Sequence, residues 1–526
     1  MTQAADPPST AAPDPTRAPD AEASLDAFLD RYAAVLRRVF REAPDGAAVH
    51  LRRGLPAADL RALLATKPLS VFIPRRHGGR AGPAAEGGDG VAGGLAMLER
   101  SAYESLAMAL TMGINGALFL QPVAKYAREG VQNEVFPRFL AHQNMGGLMI
   151  TEPDYGSDAL SMETAWTEEG DGYRIRGTKH WAGLTGLADL WLMTARKRGD
   201  DGRLARDVDF FVLDAHDPAQ SLVVEERFHA LGLYPIPYGR NGVDVHVPAA
   251  HRLEPTRNGL TMMLDLLHRS RLQFPGMALG FLHRLADEAL QHVRTRAVGG
   301  KSLLHYDQVR RRLADLQASV TLADAMNLHA AEHADPDADL AKDGLRANVV
   351  KTVVTDKMQG AAQSLLQLVG AAGYKLDHVA GRGLIDSRPF QIFEGSNDIL
   401  YEQIAGTTLK AMKAANEVRL DAFLRGHALT ARAAERLGDL LHVRIDGDVP
   451  QRRRVDLGRI VGRVAGLDMT LELAERGYDA GRVEVAVQAL RTEIAALLGA
   501  LHQGHDADPS DAPASLGAWR AVLRTG

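Results

Sequence analysis

Glu394 stands in the run Gln391-Ile392-Phe393-Glu394-Gly395-Ser396-Asn397-Asp398, a carboxylate between apolar residues and a glycine. Apolar neighbours desolvate a carboxylate and raise its pKa toward neutrality, which suits a general base. Gly395 would let a ligand come close to the backbone. The same run also reads as a helix start, with Ser396 or Asn397 capping Ile399 onward, and local features leave both readings open. A second string, Leu148-Met149-Ile150-Thr151-Glu152-Pro153-Asp154-Tyr155-Gly156-Ser157-Asp158, ends a strand at Thr151 and enters a turn. Hydroxyls and backbone N–H groups in such a turn can meet an electron-rich ring or a phosphate, or simply make a plain β-turn. A third, Arg269-Ser270-Arg271 with Arg294 and Arg296 beyond, offers guanidinium forks to phosphates or a solvated basic face.

Other strings point elsewhere. Gly88-Asp89-Gly90-Val91-Ala92-Gly93 has the G-x-G-x-x-G spacing but follows a Gly/Ala loop, not a strand, so it reads as loop rather than as a dinucleotide fingerprint. His329-Ala330-Ala331-Glu332-His333 has the H-x-x-E-H order of a zinc helix. With 19 histidines in the chain a chance occurrence is the better reading, and no metal is expected. With no cysteine, disulfides, thiolate nucleophiles and iron–sulfur clusters are excluded, and a cytoplasmic setting fits. A net charge of -5 gives no reason to expect a nucleic-acid partner.

The elements that must hold these residues follow from periodicity. Residues 1–24, rich in Pro, Ala and Asp, read as a disordered tail and as neither a signal peptide nor a membrane span. Residues 25–145 carry helical spacing, as in Phe28, Tyr32, Val35, Leu36 and Val39. From 146 to 257 short β-forming runs alternate with turns: Leu148–Thr151, Tyr173–Ile175, Leu190–Thr194, Asp209–Leu213, Leu222–Glu225 and Val243–Val247. Helical spacing returns over 258–412, and an additional helical segment fills 413–526, with a loose linker at Asp506–Pro513. Apolar runs such as Leu148–Ile150 or Ile494–Leu501 are too short to cross a bilayer, so no transmembrane segment is expected. Helices segregated from a sheet predict an α+β fold: a helical domain, an antiparallel β-domain and a C-terminal four-helix bundle with appended helices.

Together the strings resemble the acyl-CoA dehydrogenase family over about Leu25 to Lys410. Thr-Glu-Pro-x-x-Gly-Ser-Asp at 151–158 and Phe-Glu-Gly-Ser-Asn at 393–397 carry the likeness, with Ile73-Pro74, Gly78-Gly79 and Gly177-Thr178-Lys179-His180-Trp181 as smaller echoes. The resemblance implies an FAD-dependent dehydrogenase acting on an acyl thioester. Glu394 would take the α-proton while the β-hydrogen leaves as hydride to flavin N5. The flavin would lie against the backbone of Met149 and Ile150, with Thr151, Ser157, Trp181 and the Gly183 position around it. Arg296, Gln308, Gln367, Gly370 and Ala371 would hold the FAD of a neighbouring subunit, and Ser396, Asn397 and Asp398 that of their own. Ser157, His268, Arg271 and Gly395 would bind substrate, Arg271 at its nucleotide end. A homo-oligomer (dimer or tetramer) and an electron-transfer flavoprotein as acceptor are implied as well.

Three departures are visible. Trp181-Ala182-Gly183 replaces Trp-x-Thr, so a hydroxyl is missing or comes from Thr185. Arg296-Ala297-Val298-Gly299-Gly300 replaces Arg-x-x-Phe-Gly. His268 stands where the family has an acidic residue, which leaves room for an acyl group on a carrier protein. A same-fold flavin oxidase or monooxygenase, and a non-catalytic scaffold, are the alternatives.

Overall fold

The computed structural model describes residues 24–503 apart from 44–45, 84–86, 218–219 and 446–447, together with residue 520. The tail expected before Ser24 and the linker expected at 506–513 therefore lie outside the described residues.

Helix starts follow local chemistry. Ser24 caps Leu25–Arg37, Ser105 caps Leu106–Asn115 and Asn258 caps Gly259–Arg271, each side chain accepting from a first-turn amide. The helical spacing that returns after 258 does not make one long helix: it is broken at Leu272–Gln273, and Pro275 sits in the first turn of the next helix, Phe274–Thr295. Proline lacks the N–H that an uninterrupted helix would need there. Gly276 and Gly280 on this helix let the Gly90–Glu104 helix come close, because a Cβ at Gly280 would stand 2.0 Å from the Glu99 carbonyl oxygen.

One reading needs correction. The run Leu106–Tyr126 is a continuous helical stretch long and apolar enough to cross a bilayer. Most of it is buried inside the protein, between the other helices and the sheet, so it is accounted for as core. The α-helix passes into a π-helical turn at Gly116–Leu120 and continues as Gln121–Tyr126.

The middle region forms one seven-stranded sheet: β1 (Gly146–Met149), β2 (Ala165–Glu169), β3 (Gly172–Gly183), β4 (Leu190–Lys197), β5 (Asp209–Asp214), β6 (Ser221–Arg227) and β7 (Tyr238–Pro248). The order is β1-β4-β2-β3-β7-β6, with β5 also on β4. It is mixed rather than purely antiparallel, since β1 and β2 both run parallel to β4. β4 lies between neighbours on both edges, and residues Leu190–Ala195 are buried on both faces, the unbroken apolar pattern of a central strand. β7 alternates instead, with Asn241, Val243, Val245 and Val247 inward. β2 was missed because Trp166-Thr167-Glu168-Glu169 is mostly polar. Trp166 anchors it edge-on against Tyr173 and Phe211.

The C-terminal helices Asp307–His333 and Gly344–Val369 pack with Phe274–Thr295, and Asn397–Ala414 packs on Gly344–Val369. Among the described residues the appended segment has the α-helices Leu420–Arg425, Ala431–Leu437, Gln451–Glu475 and Ala480–Gln503, and it lies directly on that bundle. Gly458, Gly462 and Gly466 make a stripe along Gln451–Glu475 that seats it. A Cβ at Gly458 would stand 2.0 Å from the Tyr401 carbonyl oxygen.

Candidate active site

The Glu394 loop lies between the 3-10 turn Arg388–Gln391 and the helix Asn397–Ala414. Phe390 and Phe393 meet at a tilt, 5.0 Å apart, and both meet Phe274, which anchors the loop to the bundle. Glu394 and Gly395 take positive φ, 55° and 91°. A side chain in that region costs about 1–2 kcal/mol, so its surroundings must hold it there. They do: Arg271 donates from Nε (3.0 Å) and Nη2 (2.8 Å) to the Glu394 carbonyl oxygen. Lys351 Nζ donates to the Gly395 carbonyl oxygen at 2.9 Å.

With both carbonyls drawn toward buried cations, the carboxylate faces another way. Oε1 accepts from the Ser270 hydroxyl at 2.8 Å, while Oε2 is buried and makes no hydrogen bond among the described residues. Burial raises the Glu394 pKa, and Ser270, Arg271 and Lys351 pull back only part of the way. Such a carboxylate has a lone pair, a raised proton affinity and no internal partner for it, the properties of a base.

Two of the expected substrate contacts lie inside the protein. Arg271 is buried and spends its guanidinium on the Glu394 carbonyl and on Asn348 Oδ1 (2.7 Å), so it holds the loop rather than presenting a fork to a ligand. His268 is buried, its Nδ1 is 2.7 Å from the Leu340 carbonyl oxygen, and its ring packs beneath Gly344. Gly395 remains at the loop, half-buried.

At the sheet, a buried ion pair that sequence reasoning missed joins the Thr151–Asp158 string to Gly177–Trp181. Lys179 Nζ donates to Glu152 Oε1 (2.8 Å), the Ile150 carbonyl oxygen (3.2 Å) and Thr194 Oγ1 (3.2 Å). Burial lowers the Lys179 pKa to about 8 against the pull of Glu152. The other Glu152 oxygen accepts from the Glu163 amide, which closes the turn after Thr151. The His180 amide donates to the Thr151 carbonyl oxygen at 2.8 Å. A bulge between His180 and Ala182 then puts Trp181 at φ 56° and turns its ring outward, where it is 52% exposed beside Phe228 and Tyr238.

Met149 has its side chain in the core and its carbonyl on Thr194 Oγ1, while Ile150 and Thr151 are half-buried and Ser157 is exposed. At Gly183 a Cβ would stand 2.9 Å from Ile114 Cδ1, so that space is filled by the core helix. Thr185 does not supply a free hydroxyl: it is fully buried, donates to the Ala182 carbonyl and accepts from Asn241. This end of the sheet is tied to the helix leading into the Glu394 loop, through the Leu233 amide on Asp386 Oδ1 (2.6 Å).

The remaining candidates are not brought to Glu394. Gln367, Gly370 and Ala371 are exposed at the end of Gly344–Val369, next to Tyr374, which is 84% exposed. Arg296 and Gln308 are exposed on either side of a hairpin whose Gly299–Gly300 turn has positive φ at both residues. Asn397, expected at a cofactor, is buried, and its amide bonds Lys351, Asp356 and Thr355. Ser396 precedes the helix without a side-chain cap, and Asp398 is exposed and paired with Arg459 at 3.0 Å. Of the two decoys, Gly90–Gly93 opens a helix, and His329 stacks on His333 while Glu332 pairs with Arg476. No group of three His, Asp or Glu placed to hold a metal occurs among the described residues.

Comparison with known proteins decides the relationship. Residues 147–241 match the acyl-CoA dehydrogenase middle domain and 257–409 the acyl-CoA dehydrogenase C-terminal domain. Its middle and C-terminal regions are those of the acyl-CoA dehydrogenase family. Among its relatives, an acyl-CoA dehydrogenase of Bacillus subtilis is 25% identical over 63% of this chain and 84% of its own length. Among acyl-CoA dehydrogenase structures, butyryl-CoA dehydrogenase from Megasphaera elsdenii aligns with TM-score 0.65 at 20% identity, covering 73% of this chain and 98% of that one. An acyl-CoA dehydrogenase from Bacillus anthracis, complexed with FAD, aligns with TM-score 0.71 at 17% identity and covers 91% of this chain and 87% of that one. Coverage that wide takes in helices beyond residue 414, so the appended segment is part of the shared fold. The two family domains enclose Thr151, Trp181, Ser270 and Glu394; the helix Gln451–Glu475 lies outside both.

Proposed function

We propose that this protein is an FAD-dependent oxidoreductase that introduces an α,β double bond into an acyl thioester, with Glu394 removing the α-proton. The observation that carries the reading is the Glu394 carboxylate itself: left-handed backbone held by Arg271 and Lys351, raised pKa, and a buried Oε2 without a partner among the described residues.

The residues present fit a flavin. A flat ring system needs an exposed aromatic or apolar face and nearby donors, and the outward Trp181 and the turn carrying Ser157 provide them. Thr151, Ser157, Trp181 and the backbone at Met149–Ile150 would hold the ring. Gln367, Gly370, Ala371, Arg296 and Gln308, all at the surface, would meet the FAD of a second copy, which makes a homo-oligomer part of the proposal. FAD, when bound, supplies the two-electron acceptor for the β-hydrogen. The protein's own part is to desolvate Glu394, orient it and donate the Glu394 N–H toward the thioester carbonyl, which acidifies the α-carbon. An electron-transfer flavoprotein as the next acceptor and a cytoplasmic setting belong to the same reading.

A second reading concerns the acyl carrier. His268, Arg269 and Arg271 are all buried with internal partners, so this helix presents no cation to a nucleotide. That favours a thioester on a carrier protein over one on free CoA.

Two measurements test these readings. Incorporation of deuterium from D2O at the α-carbon of an acyl thioester should fall roughly 10²- to 10⁴-fold in Glu394→Gln; exchange at the wild-type rate would show that Glu394 is not the base. Anaerobic bleaching of the flavin by acyl-CoA and by acyl-carrier-protein thioesters, compared at equal concentration, separates the two carriers.

A further inference from the structure

The helix Gln451–Glu475 lies outside the catalytic bundle, yet one of its side chains is joined through Asp356 to the ends of the Glu394 loop. Arg463 is buried, 5% exposed. It donates from Nε to Glu493 Oε1 (2.7 Å), from Nη1 to the Tyr401 hydroxyl (2.5 Å) and from Nη2 to Asp356 Oδ2 (2.8 Å). Asp356 turns its other oxygen the opposite way. Oδ1 accepts from Gln391 Nε2 (2.7 Å) and Asn397 Nδ2 (2.8 Å), residues on either side of Glu394. Asn397 in turn accepts from Lys351, which donates to the Gly395 carbonyl.

We propose that Arg463 is a positioning residue: it orients Asp356, and Asp356 clasps both ends of the loop that presents Glu394. The inference rests on the reading of Glu394 as the base.

The chemistry favours this arrangement. A carboxylate can accept on two sides only while it is ionised, and burial works against ionisation. Arg463 is the main charge opposing that burial, and with Tyr401 and Gln391 it holds Asp356 at about pKa 2. Were Arg463 apolar, Asp356 would gain a proton or turn toward Lys351, and the two amides of Gln391 and Asn397 would lose a shared acceptor. The glycine stripe brings the helix near enough for the contact, since Gly462 lies against Val353 and Tyr401. Glu493, also paired with Lys357, fixes the far side of the guanidinium. Two buried charges could be present for cohesion alone, and removing one partner would then lower stability without touching the loop.

The experiment uses full-length protein and the variants Arg463→Met, Arg463→Lys and Glu493→Gln. The first readout is hydrogen–deuterium exchange of residues 388–398 in the FAD-free form. The second is the anaerobic flavin-bleaching rate of the holoenzyme at saturating thioester, using whichever of butyryl-, octanoyl- and palmitoyl-CoA or an acyl-carrier-protein thioester reduces the wild type fastest. Arg463→Met should raise exchange across 388–398 and slow bleaching roughly 10- to 100-fold, with half-saturation within about threefold of wild type. Arg463→Lys keeps the charge but not the fork, and should fall between. If Arg463→Met yields no folded protein, Arg463→Lys and Glu493→Gln carry the test by the same criterion. A lowered Tm with wild-type exchange and wild-type bleaching overturns the proposal. Glu394→Gln measured in parallel separates the two readings: wild-type bleaching there defeats the base assignment, while loop exchange in Arg463→Met still reports on the clasp.

Discussion

At the scale of single residues, the chemistry of Glu394 comes from what surrounds it. Burial raises its pKa, and the Ser270 hydroxyl, by donating to Oε1, favours the ionised form and lowers it part of the way back. Ser270→Ala removes that donor without adding bulk. The ascending limb of the pH profile for α-proton exchange should therefore move to higher pH, because the carboxylate must lose its proton before it can accept another. A limb that stays in place or moves down would show that the Ser270 bond does not govern the titration. Lys351 works on the same loop from the other side. Burial lowers its pKa to about 7, and its contacts are a carbonyl and an amide oxygen rather than a carboxylate. Its two hydrogen bonds hold the Gly395 carbonyl and the Asn397 side chain.

At the scale of elements, close packing decides how far a side chain can reach. Gly458 lies where a Cβ would overlap the Tyr401 carbonyl oxygen, at 2.0 Å, so the Gln451–Glu475 and Asn397–Ala414 helices touch through backbone. Gly458→Val would force them apart and should cost about 1–3 kcal/mol or more in urea unfolding, as overpacking does. An unchanged midpoint would mean that the helices tolerate separation. The bulge in β3 is the corresponding device in the sheet. It converts a residue of a paired strand into an outward indole, which a regular strand would have placed along the sheet face.

At the scale of the whole molecule, buried charges tie the bundle to the appended helices. Asp356 is held at about pKa 2, well below its ordinary 3.8, so the stability it contributes is complete above pH 3.8 and fades as pH falls toward 2. Asp356→Asn leaves Arg463 without one of its carboxylates and should cost about 3–5 kcal/mol near neutral pH. The variant should also lose the part of the acid dependence between pH 3.8 and 2 that the carboxyl supplies. Urea midpoints for wild type and variant across that range check both; parallel pH profiles would assign the acid sensitivity to other groups.

Residue types and their order in the chain were enough to determine the helix–sheet–helix succession, the site of the Glu394 loop and the family, because periodicity and short motifs are local properties. The strands with strong alternation or unbroken apolar runs were legible, whereas β2, polar and held by one tryptophan, was not. The parallel pairing of β1 and β2 with β4 could not be read from any single segment. The loop was visible in sequence as Phe-Glu-Gly, but its support was not. Lys351 stands in the apolar run Val349–Val354, where a lone lysine is a signal of burial, yet nothing local says that it meets Gly395. Arg271 looked like a ligand contact from its chemistry and His268 from the family resemblance, and only the fold shows the Arg271 guanidinium and His268 Nδ1 already engaged within the protein. Arg463 lies far along the chain from Asp356, and a contact across that separation exists only once the glycine stripe has brought the two helices together. Long-range pairing of buried charges depends on tertiary geometry, and so the support beneath Glu394 was decided by the fold.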